Sequence, residues 1–386
     1  MTPGKQGVDH RQLRAINERR VRRLLLRRGP LSRRDLAAQT GLDSKSITNI
    51  IRDLRAREVV AVAGRKKSFG GRSVDLFELR RDRNLVLGIH IAPDRILALV
   101  VNPYGETLWQ SDRIGSETTK DAIRSAVEDV GHQLRSVKLF RPAHFLGAGL
   151  CAPGLLNPER TAWVVSSQLP DLVGEAPGRW VEQATGLPTI LEDDSAAKAL
   201  GERLWGWARC HESFLLVDLD TGVGSGIVIN GRLFRGVSGH SGEIGRLKVP
   251  ADAAAQMGAE GKRLEEAVGL HRIAVHYNRR IGAQRAKHFD DVATASREGD
   301  RVAIDVLRSA GQLVGATLAN IFDFLNLPIC VTGRLVTSTD LTFDPIRESF
   351  RRNILLPEGE IGQGELNGRV GALGAAALVY HAWTEA

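Results

Sequence analysis

The sequence predicts an α/β protein: a small N-terminal winged helix-turn-helix followed by a much larger body of alternating strands and helices. Three observations predict it. Residues 31–60, LSRRDLAAQTGLDSKSITNIIRDLRAREVV, have the spacing of two short helices around a glycine turn, and a basic, glycine-containing hairpin follows. Charge is divided unevenly: residues 1–83 hold 22 basic against 9 acidic residues, and the remainder holds 31 against 36. From residue 85 onward, apolar strand patterns alternate with helical ones to the end of the chain.

Residues 10–28 read as a first helix with Leu13, Ile16, Val21, Leu24 and Leu25 on its inner side and a row of arginines outside. Ser32 and Asp35 have capping-box spacing for the next helix, Gly41 supplies the turn, and Asp43 or Ser44 caps the helix after it. In that helix Ile47, Ile50, Ile51 and Leu54 fall on one face. Lys45, Thr48, Asn49 and Arg52 lie opposite, with Ser46 beside them. These donor-bearing side chains suit phosphates and base edges, so the helix is expected to enter a major groove. Residues 59–79 read as two strands around a loop, a wing whose cations Arg65, Lys66, Lys67 and Arg72 are placed to meet a phosphate backbone. A basic head of this kind on a mildly acidic body points to double-stranded operator DNA as partner.

RRDRN at 80–84 reads as a linker, giving expected domains of 9–80 and 85–386. In the body, 85–109 has the pattern of sheet strands, 119–137 of a helix, and 144–156 and 214–234 of strands around glycine-rich loops. Helical patterns follow at 262–284 and 299–326, a buried strand at 328–336 and a small-residue helix at 370–383. No apolar run approaches the ~20 residues of a membrane span, and no signal core is visible, so a cytoplasmic, nucleoid-associated protein with no membrane partner is expected. Cys151, Cys210 and Cys330 are odd in number and widely spaced, which suggests neither a disulfide framework nor a cysteine metal site.

The body carries a family resemblance in four stretches: AGLCAPGLLN, TILEDDSAAKALGERLWG, TGVGSGIVINGRLFRGVSGHSGEIG, and the C-terminal ICVTGR with GALGAAAL. Their order and spacing resemble the ROK family of repressors, uncharacterised open reading frames and sugar kinases. With the reading head they cover nearly all of 10–386 and resemble its winged-helix repressor branch. The resemblance implies a two-lobed, actin-like body with a ligand cleft between the lobes.

Departures from the family pattern carry much of the functional information. The kinases' first phosphate turn is glycine- and threonine-rich; here it is His90-Ile91-Ala92-Pro93-Asp94, where proline removes an N–H donor and Asp94 repels phosphate. The second loop, Thr221 to Gly226, keeps its glycines but follows Asp220, where glycine is usual in the kinases. ATP binding and kinase catalysis are therefore not expected. On the sugar side, Asp194 matches the family's general base, and without ATP the role left to it is holding sugar hydroxyls. Asp193 stands at a family asparagine, Gln168 at another, and Glu243 at a second sugar-contacting carboxylate. Arg246 replaces a family histidine that is also a zinc ligand, and LKVPADAAAQMGAEGKRLEE at 247–266 contains neither Cys nor His, so no zinc site is expected. Arg246 is left to pair with the acids or to bind an anionic ligand.

The expected function is a transcriptional regulator, a repressor, acting as a homodimer or homotetramer. A sugar or sugar derivative bound by Gln168, Asp193, Asp194, Glu243 and Arg246 would change the lobe angle and the spacing of the heads. Two other readings stay open: a ligand-independent regulator whose body serves dimerisation and protein docking, and an active sugar kinase with a DNA-binding head.

Overall fold

A computed structural model of the chain describes residues 10–67, 73–115, 118–137, 141–250 and 263–385. It opens with helix α1 (His10–Arg28), strand β1 (Leu31–Ser32), helices α2 (Arg33–Thr40) and α3 (Ser44–Ala56), and strands β2 (Val60–Lys67) and β3 (Ser73–Leu79). The Ser32 hydroxyl accepts from the Asp35 N–H, and the Asp35 carboxylate accepts from the Ser32 N–H, closing the expected capping box. Gly41 ends α2 at φ 72°, a left-handed conformation that disfavours a side chain. Asp43 caps α3 by accepting from the Ser46 N–H. Strand β3 lies between β1 and β2, and β2 and β3 form the antiparallel wing.

The head's core is Val21, Leu25, Leu36, Ile47, Ile51, Leu54 and Phe77, all fully buried. Leu13 and Ile16, expected on the inner side of α1, are instead 42% and 40% exposed. The buried stripe of α1 is Val21, Leu25 and Leu26, in its C-terminal half. Arg72 of the expected wing tip lies outside the described residues.

The body continues with β4 (Leu85–Ala92), β5 (Arg95–Val101), β6 (Thr107–Ile114), α4 (Lys120–Ser136), β7 (Phe145–Ala152), β8 (Leu155–Leu156), β9 (Trp163–Val165), α5 (Pro177–Thr185), β10 (Thr189–Asp193) and α6 (Asp194–Trp205). Next come β11 (Phe214–Leu219), β12 (Val223–Ile229), β13 (Arg232–Leu233), a set of helices, β14 (Ile329–Thr332), β15 (Ile361–Gln363) and the C-terminal helix Val370–Glu385. The chain forms two compact units. One draws on Met1–Leu150, Ala176–Leu191 and Ala375–Ala386, the other on Cys151–Glu175 and Glu192–Gly374.

The first unit holds the head together with a sheet of order β10-β7-β4-β5-β6. The RRDRN stretch between them is a bonded corner. Arg80 and Arg83 pair with Glu58 at 3.2 and 3.1 Å, and Arg81 pairs with Glu106 while its guanidinium lies 4.6 Å over the Tyr104 ring. The Asn84 amide donates to the Val59 carbonyl at 3.1 Å. The end of the C-terminal helix also meets the head: Glu385 pairs with Arg23 at 2.8 Å and Trp383 lies under Arg22. One turn earlier the buried Tyr380 hydroxyl donates to the Asn84 carbonyl at 2.7 Å.

The second unit has a sheet of order β13-β12-β11-β14-β15, with β11 antiparallel to β12 and parallel to β14. Its core includes helix Arg301–Leu325, among the described residues the one helix long and apolar enough to cross a membrane. Eleven of its residues are buried, which is the burial of a core helix. It packs closely on helix Asp340–Asn353: a Cβ at Gly311 or Gly315 would stand 2.6 or 2.3 Å from the carbonyl of Thr342 or Ile346. Backbone cannot yield as a flexible side chain would, so Gly315→Val is expected to destabilise by roughly 1–3 kcal/mol. Chemical denaturation would show this as a lowered midpoint at unchanged slope; an unchanged midpoint would contradict the packing.

Candidate functional site

Two surfaces carry chemistry. The first is the outer face of α3. Lys45, Thr48 and Arg52 are exposed there, and Ser46 and Asn49 are half-buried. Local bonding already uses two of these donors: the Ser46 hydroxyl donates to Asp43 at 2.6 Å and the Thr48 hydroxyl to the Ser44 carbonyl at 2.8 Å. Their oxygens keep acceptor capacity. Arg52 lies 3.5 Å from Asp53, whose carboxylate also takes Arg14. On the wing, Arg65 pairs with Asp75 at 3.0 Å, and Lys66 and Lys67 are exposed.

The second surface is a pocket in the second unit, about 420 Å³ with its open mouth included. Its construction starts where β10 runs into α6. Asp193 is the N-cap of α6 and accepts from the Ala196 N–H at 3.0 Å, so local helix capping aims the end of the strand. One turn on, Lys198 is 5% exposed, and its ammonium donates to Asp194 at 3.0 Å and to Asp218 on β11 at 2.5 Å. Burial would lower the pKa of this lysine, but the two carboxylates hold it well above its usual range. The cost of burial falls on the acids: it pushes Asp218 up to about 6 despite Lys198. Asp193 is pushed up to about 8, by burial first and then by the neighbouring Asp194 charge. A neutral carboxyl with one oxygen on the Ala196 amide offers an O–H donor at the other. In hydrogen-bonding terms this is close to the carboxamide that the family resemblance places at 193.

Asp193 and Glu243 both line the pocket. Asp194 is committed to Lys198. Gln168 lies against the Thr221–Gly226 loop, where a Cβ on Gly222 would meet its amide nitrogen at 2.5 Å. Arg246 is exposed at the end of the short turn Ile244–Arg246. Cations on the acids include Lys198 on Asp194 and Asp218, and Arg160 and Arg235 on Glu192. Sequence reasoning did not single out Lys198, Arg160, Glu192 or Arg235. Only Lys198 left a local signal, its i+4 spacing from Asp194.

Beside the glycine loop, Asp220 receives Arg334. The guanidinium donates to both carboxylate oxygens at 2.8 to 3.3 Å and to the Thr221 hydroxyl at 3.1 Å, and the Arg334 N–H adds a bond at 3.1 Å. Burial works against the Asp220 charge, but these bonds hold its pKa below the usual carboxylate value. The pair joins the ends of the parallel neighbours β11 and β14. The first turn is tight, with Ala92 and Arg95 facing each other across Pro93-Asp94.

Because the folded structure favours neutral Asp193 and the unfolded chain ionises near 4, folding loses stability as pH rises from about 4 towards 8 and no more above that. Asp193→Asn keeps the cap and removes the titration. The stability gap between this variant and the parent should therefore widen from pH 5 to about 8 and then level off. A gap independent of pH would show that Asp193 is an ordinary ionised carboxylate.

Comparison with known proteins gives the same arrangement a lineage. The xylose repressor of Bacillus subtilis is 22% identical over 381 residues, covering 96% of this chain and 97% of the repressor. The glucokinase of Streptomyces coelicolor is 30% identical over 322 residues, covering 76% of this chain and 97% of the enzyme. A solved ROK family transcriptional regulator, described as a homolog of the E. coli MLC protein, superposes with a TM-score of 0.79 at 22% identity, covering 96% of this chain and 97% of that one. The ROK family model matches residues 86–382, and the chain belongs to the ROK family.

Proposed function

We propose that this protein is a sequence-specific DNA-binding transcriptional regulator, a repressor, that responds to a sugar or sugar derivative held in the pocket of Asp193 and Glu243. The observation that carries the reading is the capped helix α3. Its apolar stripe is fully engaged in the head's core while Lys45, Asn49 and Arg52 face outward beside a basic wing. That is the disposition of a recognition helix with flanking phosphate contacts. Likeness to a xylose repressor over nearly the whole of both chains supports it. In this reading residues 9–80 are the DNA-binding domain and 85–386 the sugar-binding and oligomerisation domain. The protein works in the cytoplasm, on the nucleoid. A homodimer or homotetramer would present its heads to half-sites one or two helical turns apart.

Two features support a regulator over a kinase. Arg334 fills the loop end beside Asp220, and the Asp194 carboxylate is already engaged by a buried ammonium. The ligand-independent regulator keeps one specific observation in its favour: Gln168 and Arg246 stand outside the pocket that Asp193 and Glu243 line.

Arg52→Ala is expected to lower affinity for the operator by about tenfold at physiological salt and to relax sequence preference. Lys66→Ala should weaken all DNA alike and reduce the salt dependence by about one counterion. Fluorescence anisotropy on operator and scrambled duplexes measures both. Unchanged operator affinity in Arg52→Ala would remove α3 from the groove.

A further inference from the structure

The pocket wall brings two guanidiniums to a single buried carboxylate. Glu192 is 2% exposed, and its carboxylate takes one guanidinium on each oxygen: Arg160 on one, and Arg235 on the other at 2.7 Å. The Asp193 N–H adds a bond at 3.0 Å. The pocket lining sets these two guanidiniums against three carboxyls, Glu192, Asp193 and Glu243, and both guanidiniums lie on Glu192.

Arg160 is held there against two physical costs. Its backbone is left-handed, at φ 55°, a conformation that a non-glycine residue adopts only when its surroundings enforce it. The turn that enforces it is built by Asn157, whose side chain accepts from the Thr161 and Ala162 N–H groups at 2.7 and 3.1 Å. The buried Arg160 Nε also has no hydrogen-bond partner among the described residues. Burial and the nearby Arg235 charge lower the Arg160 pKa to about 10, so the two cations sense each other. Each guanidinium offers five N–H donors in a planar fork, and one carboxylate cannot occupy both forks.

We infer that the ligand of this pocket carries an oxyanion, a carboxylate or a phosphate on a polyol, which Arg160 and Arg235 bind with the donors Glu192 leaves unused. Asp193 and Glu243 then take its hydroxyls. The inference rests on the proposed reading of the pocket as the effector site and assigns the chemical class of that effector.

Calorimetric titration of the full chain at fixed ionic strength tests it. The probes are glucose, galactose, xylose and N-acetylglucosamine, each beside its acid form and its terminal phosphate. At least one anionic member should bind ten or more times tighter than its neutral parent, and whether it is the acid or the phosphate identifies the source of the charge. Arg160→Gly, which also relieves the left-handed backbone, and Arg235→Gln should each lower that affinity at least tenfold. Binding of operator DNA in the absence of sugar should stay within about twofold. Neutral sugars binding as tightly as their anions would overturn the inference and leave the sugar-effector reading standing, as would an Arg160→Gly variant that keeps the anion preference. If no member of the panel binds, the effector reading falls with it.

Discussion

The buried ammonium of Lys198 is the constraint on which the site depends. It ties Asp194, in the first turn of α6, to Asp218 on β11, and so fixes where the strand–helix junction at Asp193 points. Removing one partner of such a buried set typically costs about 3–5 kcal/mol, because an uncompensated charge remains. The same bond sets the chemistry. Asp193 beside it, pressed first by burial and then by the Asp194 charge, holds on to a proton. Of the two adjacent aspartates, Asp194 is held by the ammonium and Asp193 lines the pocket.

Arginine settles the remaining charges, and each arginine comes from a distant part of the chain. Arg334 neutralises Asp220 across 114 residues at the ends of two parallel strands, and Arg160 and Arg235 converge on Glu192 from either side of it in sequence. Beside its glycine loop this chain places a carboxylate with its own guanidinium.

The head was legible because its determinants are local. The Ser32–Asp35 box, the Gly41 turn and the stripe of Ile47, Ile50, Ile51 and Leu54 are all relations over three to seven residues, and the structure contains each of them. Periodicity failed at Leu13 and Ile16, since a pattern shows which side of a helix is apolar but not how far its neighbours extend along it. In the body, strand and helix order was readable and the ROK motifs placed the acids. What occupies those acids was not readable. Lys198 left a trace at i+4 from Asp194, whereas the meeting of residues 160, 192 and 235, and of 220 and 334, is a product of tertiary folding. Arg160 carries the least signal of all, since nothing in a sequence marks an arginine as left-handed.

The central claim is that one chain couples a DNA-reading helix to a sugar pocket. Coupling is reciprocal, so the most direct test is to measure the affinity of the pocket ligand for the free protein and for the protein saturated with operator. The account predicts that the two differ, by the same factor by which saturating ligand changes operator affinity. Equal ligand affinities in the two states would show that pocket and head are independent, and would contradict the account.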